Sequence, residues 1–221
     1  MKKNFYFIVA LFLLYLAAYN PTDNLLFTFQ FVAQGSAINP FSGELYFSIY
    51  NTLFNIAMIV LFVSRICKGI SDAFTLHPYI FCRGGQVAVK RVMLKRALIE
   101  ISLILLAKLI LYIPAFVISR SFSTFFFYDF ISTFLTLSLF AFIFILCKLS
   151  GVKDKIPLFC LISGHMIALI LSYQLRFFSI FTIASIDWQN DFWFTLPIKF
   201  LIIVAIMYFL LSKKNGRGLK A

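Results

Sequence analysis

Acidic residues are scarce in this chain: eight Asp and Glu stand against twenty Lys and Arg, and charged residues make up only 13% of the 221 positions. An average soluble domain carries about 25%, so there is too little polar surface here to cover a soluble core. Cysteine is equally sparse. The chain has four, Cys67, Cys82, Cys147 and Cys160, and none forms a C-x-x-C pair. With only two histidines beside them a metal site is not expected; they read as small apolar residues on or near the cytoplasmic side, where disulfides are rare. A G-x-x-x-x-G-K-[ST] phosphate cradle is missing, because Gly84-Gly85 has neither the spacing nor the Lys-Ser/Thr that follows it. Nor is there a carboxylate pair or Glu-Glu motif of the kind an intramembrane metalloprotease uses.

What fills the chain instead is apolar: 62% of residues are hydrophobic and 30 are Phe. They gather in six segments, 4–19, 45–63, 97–118, 124–147, 156–175 and 196–211, each near the roughly 20 residues a helix needs to cross a bilayer. The expected fold is an all-α integral membrane protein of six transmembrane helices, one domain over 1–221. Sixteen of the twenty basic residues fall in clusters at 2–3, 65–96, 148–155 and 213–220, before segment one or after segments two, four and six. The opposite connections hold only Arg120, Arg176 and Lys199 at their margins, with five of the eight acidic residues, Asp23, Glu44, Asp129, Asp187 and Asp191. Cytoplasmic loops carry the excess of Lys and Arg, so both termini are expected in the cytoplasm. The net charge of +12 then reflects orientation and attraction to anionic lipid, and no nucleic-acid partner is expected. The first segment follows Lys2-Lys3 as in a signal peptide, but no small-x-small cleavage site precedes a polar stretch; an uncleaved first helix is expected.

Two outer connections are too apolar for solvated loops. Residues 20–44 contain Leu25-Leu26-Phe27-Thr28-Phe29-Gln30-Phe31-Val32, and residues 177–187 open on Phe177-Phe178-Ser179-Ile180-Phe181. Both are too short to span and read as interfacial or partly re-entrant helices; alternatively, segments two and five are long and tilted. Trp188 and Trp193 fit an outer aromatic belt. On the other side, Pro78 and Gly84-Gly85 are expected to break 65–96 into two short helices. From Gln86 onward, Gln86, Lys90 and Arg91 fall on one side of a helix and Val89, Val92 and Met93 on another, a pattern suited to the headgroup layer. Asp72, Phe74, Tyr79, Arg83, Lys90, Arg91, Lys95 and Arg96 are the candidate contacts of this element, to a cytoplasmic partner or to membrane lipid.

Two apolar segments, a basic connection reading Tyr79-Ile80-Phe81-Cys82-Arg83-Gly84-Gly85 then Lys90-Arg91 and Lys95-Arg96, and four further segments resemble the layout of small type-two ABC exporter permeases. The likeness is narrowest to compact permeases of bacteriocin or antimicrobial-peptide export and immunity systems. The resemblance implies a multi-pass subunit of the bacterial cytoplasmic membrane that exports an amphipathic or apolar peptide. It implies a coupling helix within 65–96 that docks on a separate ATPase subunit, short outer half-helices between spans five and six, and a second permease, itself or a paralogue. ATP and Mg would sit on the partner, with no cofactor in this chain.

Four polar residues inside the apolar segments stand out: Asn51, Asn55, Lys108 and Asp129. A Lys at the centre of an isolated span costs about 2.5–3.5 kcal/mol to insert. Lys108 is therefore expected to face the bundle, where Asp129 of the next segment lies at matching depth and can form a buried ion pair. The alternative is that Lys108 snorkels outward and Asp129 is wet. Asn51 and Asn55, four apart, read as interhelical hydrogen-bonding glue, and Glu100 is placed to pair with Arg96 one turn away. His165 reads as a packed or hydrogen-bonded histidine. Two other functions stay open. His77 and Cys82 supply the residue types of a membrane-embedded cysteine peptidase, although Pro78 follows His77 and no orienting group is evident. A substrate-capture subunit of a vitamin-uptake transporter would also have six helices, with residues 20–44 roofing an outward pocket.

Overall fold

A computed structural model describes residues 2–19, 25–35, 37–38, 45–46, 49–120, 123–172, 175–184 and 188–212. Asp23, Glu44, Asp187, the Asn20-Pro21 boundary and the basic cluster at 213–220 lie outside these residues. The described chain is helical almost throughout: α1 (Lys2–Ala18), α2 (Leu25–Gln34), α3 (Ile49–Phe74), α4 (His77–Ser119), α5 (Phe125–Leu149), α6 (Lys155–Leu171) and α7 (Trp188–Ser212). A 3₁₀ turn, Arg176–Phe181, joins α6 to α7, and Ala37–Ile38 pairs antiparallel with Leu45–Tyr46 between α2 and α3. Among the described residues four helices are long and apolar enough to cross a membrane: α3, α4, α5 and the Asp191–Leu210 part of α7. α1, α2 and α6 are shorter apolar helices.

The bundle is apolar outside and partly polar inside, as a lipid solvent requires. Val117 and Ile118 of α4, Phe159 of α6, and Trp193 and Tyr208 of α7 are each more than 70% exposed, while Asn55, Lys108, Asp129, Ser132, Thr133, Thr136 and His165 are fully buried. α5 runs through the centre, against α3, α4, α6 and α7. Every residue from Leu135 to Phe142 is buried, which is what an all-round apolar helix achieves only when neighbours surround it. Its open side is a single stripe at helical spacing, Phe127, Ile131 and Phe134.

Two element boundaries differ from the sequence expectation. The 65–96 connection is not a loop with two short helices: α3 continues to Phe74 and α4 starts at His77, leaving only the Thr75-Leu76 turn between them. Pro78 causes no break because it lies in the first turn of α4, where a missing N–H costs no helical bond. The break comes at Gly85, whose φ of 64° and ψ of −168° are non-helical inside α4, a backbone region essentially reserved for glycine. Residues 77–84 are thereby set off as a short helical cap on the long remainder of α4. Second, α7 begins at Trp188, eight residues before the expected span, and runs through Pro197. The expected pair of outer half-helices is accordingly one 3₁₀ turn, the second being absorbed into α7. The apolar run within 20–44 forms the short helix expected of it: α2 has ten residues, with Leu26, Thr28, Phe29, Val32, Ala33 and Gln34 buried. Its length, about 15 Å, takes it into the bundle without crossing it.

An ionic clamp closes the basic end. Glu100 of α4 accepts from Arg65 Nε at 2.9 Å and Arg96 at 2.7 Å. Arg65 also reaches Asn4 Oδ1 at 2.6 Å and lies 4.5 Å over the Phe7 ring, tying α1, α3 and α4 together. The helices meet this closely because Gly69 faces Glu100: a Cβ there would stand 2.7 Å from Glu100 Cγ. Glu100, held by two arginines, cannot swing clear. Gly69→Ala is expected to destabilise by about 1–3 kcal/mol, read as a lower unfolding temperature of the purified protein in detergent. Gly164→Ala, where a Cβ meets nothing within 4 Å, is the control and should be neutral or slightly stabilising.

Candidate functional site

The polar interior is built on α5. Asp129, Ser132, Thr133 and Thr136 follow at i, i+3, i+4 and i+7, so they form one stripe of a 3.6-residue helix, and all four are fully buried. Two lysines approach this stripe from different helices. Lys108 of α4 lies 2.6 Å from Asp129 Oδ2 and donates to Thr133 Oγ1 at 2.9 Å. Tyr112, one turn on, donates to the same carboxylate at 2.6 Å. From α7, Lys199 donates to Ser132 Oγ at 2.8 Å, Thr136 Oγ1 at 3.1 Å and the Thr182 carbonyl at 2.8 Å.

These contacts separate the sequence candidates. The structure brings Lys108 and Asp129 together as a buried pair, so Lys108 does not snorkel and Asp129 is not wet. Lys199 lies at no membrane margin; it is 1% exposed, and its three ammonium protons meet three neutral oxygens. Asp191 is likewise buried, in the first turn of α7, where a carboxylate suits the helix dipole. The sequence hid both because the last apolar segment was read from Leu196, which left Asp191 in the preceding connection and Lys199 at its margin, whereas the helix starts at Trp188. The i, i+3, i+4, i+7 hydroxyl stripe of α5 was the available signal.

A second constellation ties α2, α3 and α6. Asn55 Nδ2 donates to the carbonyls of Val32 at 2.9 Å and Ala33 at 2.8 Å, two groups at the end of α2 that lack helical partners. Its Oδ1 faces His165 Nε2 at 2.8 Å, and His165 Nδ1 faces the Phe181 carbonyl at 3.0 Å. Both ring nitrogens thus meet oxygens that only accept: an imidazolium makes both bonds, a neutral ring one. Thr52 Oγ1 adds a bond to the Gly35 carbonyl at 2.5 Å. Asn51, half-buried, lies one turn before Asn55 on the same helix.

At the basic end the candidates divide by exposure. Asp72, Tyr79, Arg83, Arg91, Lys95 and Arg96 are exposed, with Tyr79 at 76%. Phe74 is half-buried beneath His77, whose ring lies 5.1 Å from Phe74 and 5.5 Å from Phe81; the imidazole is packed in an aromatic stack. Lys90 is the correction. It is 4% exposed and donates to the Leu210 carbonyl at 2.8 Å, capping the final turn of α7 where the helix dipole favours a cation, so it is not a surface contact. Lys148 pairs with Asp154, which also accepts from Ser71 Oγ at 2.8 Å. Burial raises the Asp154 pKa, but the hydrogen bonds from Lys148 and Ser71 and the Lys148 charge outweigh it and hold the carboxyl below the ordinary range. Among the described residues no three His, Cys, Asp or Glu side chains gather as metal ligands. No protein family, curated protein or solved structure matches the chain.

Removing one partner of a buried pair strands the other, at a cost of about 3–5 kcal/mol, whereas replacing both by apolar residues is often near neutral. Lys108→Met and Asp129→Leu are each expected to lower the thermal stability of the purified protein strongly, and the double variant to recover most of the loss. Additive losses would show that the two do not act as a pair. Asp154→Asn gives a pH test. A depressed carboxyl stabilises the fold above its unfolded pKa and stops doing so as pH falls through the folded value. The variant should be less stable than wild type at pH 7, by under about 1 kcal/mol for a part-exposed pair, with the difference shrinking as pH falls below the ordinary carboxylate range.

Proposed function

We propose that the chain is the permease subunit of an ABC exporter, powered by a separate cytoplasmic ATPase and completed by a second copy or a paralogue. The observation that carries the proposal is the helical cap at 77–84. It is a short, exposed helix between two long apolar helices, at the most basic end of the molecule, bounded by the Thr75-Leu76 turn and the non-helical Gly85. It offers Leu76, Tyr79, Phe81 and Arg83 outward, a mix of aromatic, aliphatic and Arg contacts of the type enriched in interface cores.

The threading follows from lengths. α1 and α6 have 17 residues each, about 25 Å, the lower limit for a span. With the four long helices they give six crossings of a bacterial cytoplasmic membrane. Orientation by the basic clusters then puts the cap and both termini in the cytoplasm. α2 and the 3₁₀ turn become re-entrant pieces of the outer half. ATP and Mg would be held by the partner, and the cargo, an amphipathic or apolar peptide, is inferred from the resemblance alone.

The contacts give a route for force. A push on the cap passes through the Gly85 bend into α4. Lys108 ties α4 to α5, and Lys90 ties it to the end of α7, so α4, α5 and α7 would move as one body. The full chain, tagged and extracted from its native membrane in mild detergent, should carry a P-loop ATPase in stoichiometric amount. Tyr79→Ala with Arg83→Glu should abolish that association while leaving a monodisperse protein. Gly85→Ala should weaken it by re-aiming the cap, at about 1–3 kcal/mol of backbone strain. Purification with no P-loop ATPase, or with a small vitamin and a large scaffold permease, would overturn the proposal.

A further inference from the structure

The face of α4 beyond the cap is left open by the bundle. Arg91, Lys95, Leu98, Ile99, Leu103 and Leu106 fall on one side of the helix and line a shallow, open groove of about 640 Å³ whose walls are all α4 side chains. Its chemistry is divided along its length. Arg91 and Lys95, one turn apart and both exposed, stand at one end, and neither pairs with an acidic side chain among the described residues. The rest is aliphatic apart from Ser102, with Leu98, Ile99 and Leu106 each 40–50% exposed. From Leu98 to Leu106 the face rises about 12 Å.

The occupant must match that division. An acidic soluble protein would satisfy the two cations but leave the aliphatic length uncovered. A second copy related by a twofold axis along the membrane normal would bring Arg91 and Lys95 against their own equivalents, a like-charge contact. A molecule with one anionic head and an apolar tail satisfies both ends. The apolar stretch of α4 opens at Ala97-Leu98, so Lys95 and Arg91 fall about 3–9 Å below it, at headgroup depth. We propose that this groove binds an anionic phospholipid, its phosphate between Arg91 and Lys95 and an acyl chain along Leu98–Leu106. The inference rests on the membrane embedding and not on the exporter assignment, and it separates two basic surfaces: the 77–84 cap for a protein partner, the α4 groove for lipid.

The test is native mass spectrometry of the delipidated full chain in neutral detergent, titrated with dioleoyl phosphatidylglycerol or dioleoyl phosphatidylcholine. The wild type should retain phosphatidylglycerol preferentially. Arg91→Gln with Lys95→Gln should weaken that binding about 20-fold, the effect of removing two headgroup cations, and leave phosphatidylcholine unchanged. Lys68→Gln with Lys153→Gln takes the same charge from exposed sites at the same end and should leave phosphatidylglycerol binding nearly intact. Leu103→Trp, which fills the groove without altering charge, should also reduce it, and excess inorganic phosphate should not displace the lipid. All substituted side chains except the half-buried Leu103 are exposed, so circular dichroism should be unchanged in the charge variants. Equal retention of the two lipids, equal losses in the two charge variants, or displacement by phosphate would each overturn the proposal.

Discussion

A charged side chain withdrawn from water must find a counter-charge or enough oriented dipoles within reach, and in this chain that constraint falls on α5. Two lysines from opposite neighbours converge on its single polar stripe. Lys108 is met by a carboxylate, Lys199 by two hydroxyls and a carbonyl. Because each ammonium reaches the stripe only from one direction, the two contacts fix where α4 and α7 sit around α5. Apolar packing in lipid lacks that directionality: a leucine gains little from another helix that a lipid tail would not also give. The polar stripe therefore supplies register, and the surrounding Phe, Leu and Ile supply volume.

The same logic governs the short segments, α2 and the 3₁₀ turn. α2 ends inside the bundle, and its last carbonyls would be stranded there without donors. Asn55 supplies two of them from α3, and is itself held by His165. His165 in turn reaches the Phe181 carbonyl of the 3₁₀ turn. A chain of side-chain bonds thus runs from one irregular segment through two helices to the other. Short, non-crossing backbone is tolerated where protein satisfies it, and here two side chains, Asn55 and His165, make those bonds.

How much of this was legible depends on which property each feature uses. The apolar segments were readable because hydropathy over about 20 residues reports bilayer crossing directly. That measure reports lipid contact rather than helix, so it ended the second segment near residue 63 although the helix continues in polar residues to Phe74. Pro78 was read as a break and is a helix start, a difference of position that no composition encodes. The Lys108–Asp129 pair was visible as an option because adjacent segments form a hairpin and depth can be counted along both. Asn55 and His165 stand 110 residues apart on helices whose rotation about their axes the sequence leaves open. Lys90 and Lys199 were misplaced for a shared reason: charge patterning assigns cations to sides of a membrane, whereas burial assigns them to partners.

That distinction changes what the strong positive charge means. Arg65 and Arg96 are committed to Glu100, Lys148 to Asp154, Lys108 to Asp129, Lys199 to the α5 stripe and Lys90 to the end of α7. Each spends its charge inside the molecule, on helix geometry. Among the described residues, the exposed cations left at the basic end include Lys68, Lys153 and Lys155, together with Arg83 on the cap and Arg91 and Lys95 on the α4 groove, the last three divided by the Gly85 bend. Under the two proposals, the bend separates a surface for a protein partner from one for lipid. A straight helix would carry both on one rigid rod, so that any displacement of the cap would drag the lipid-facing cations with it. A glycine at that single position lets one helix serve two surroundings.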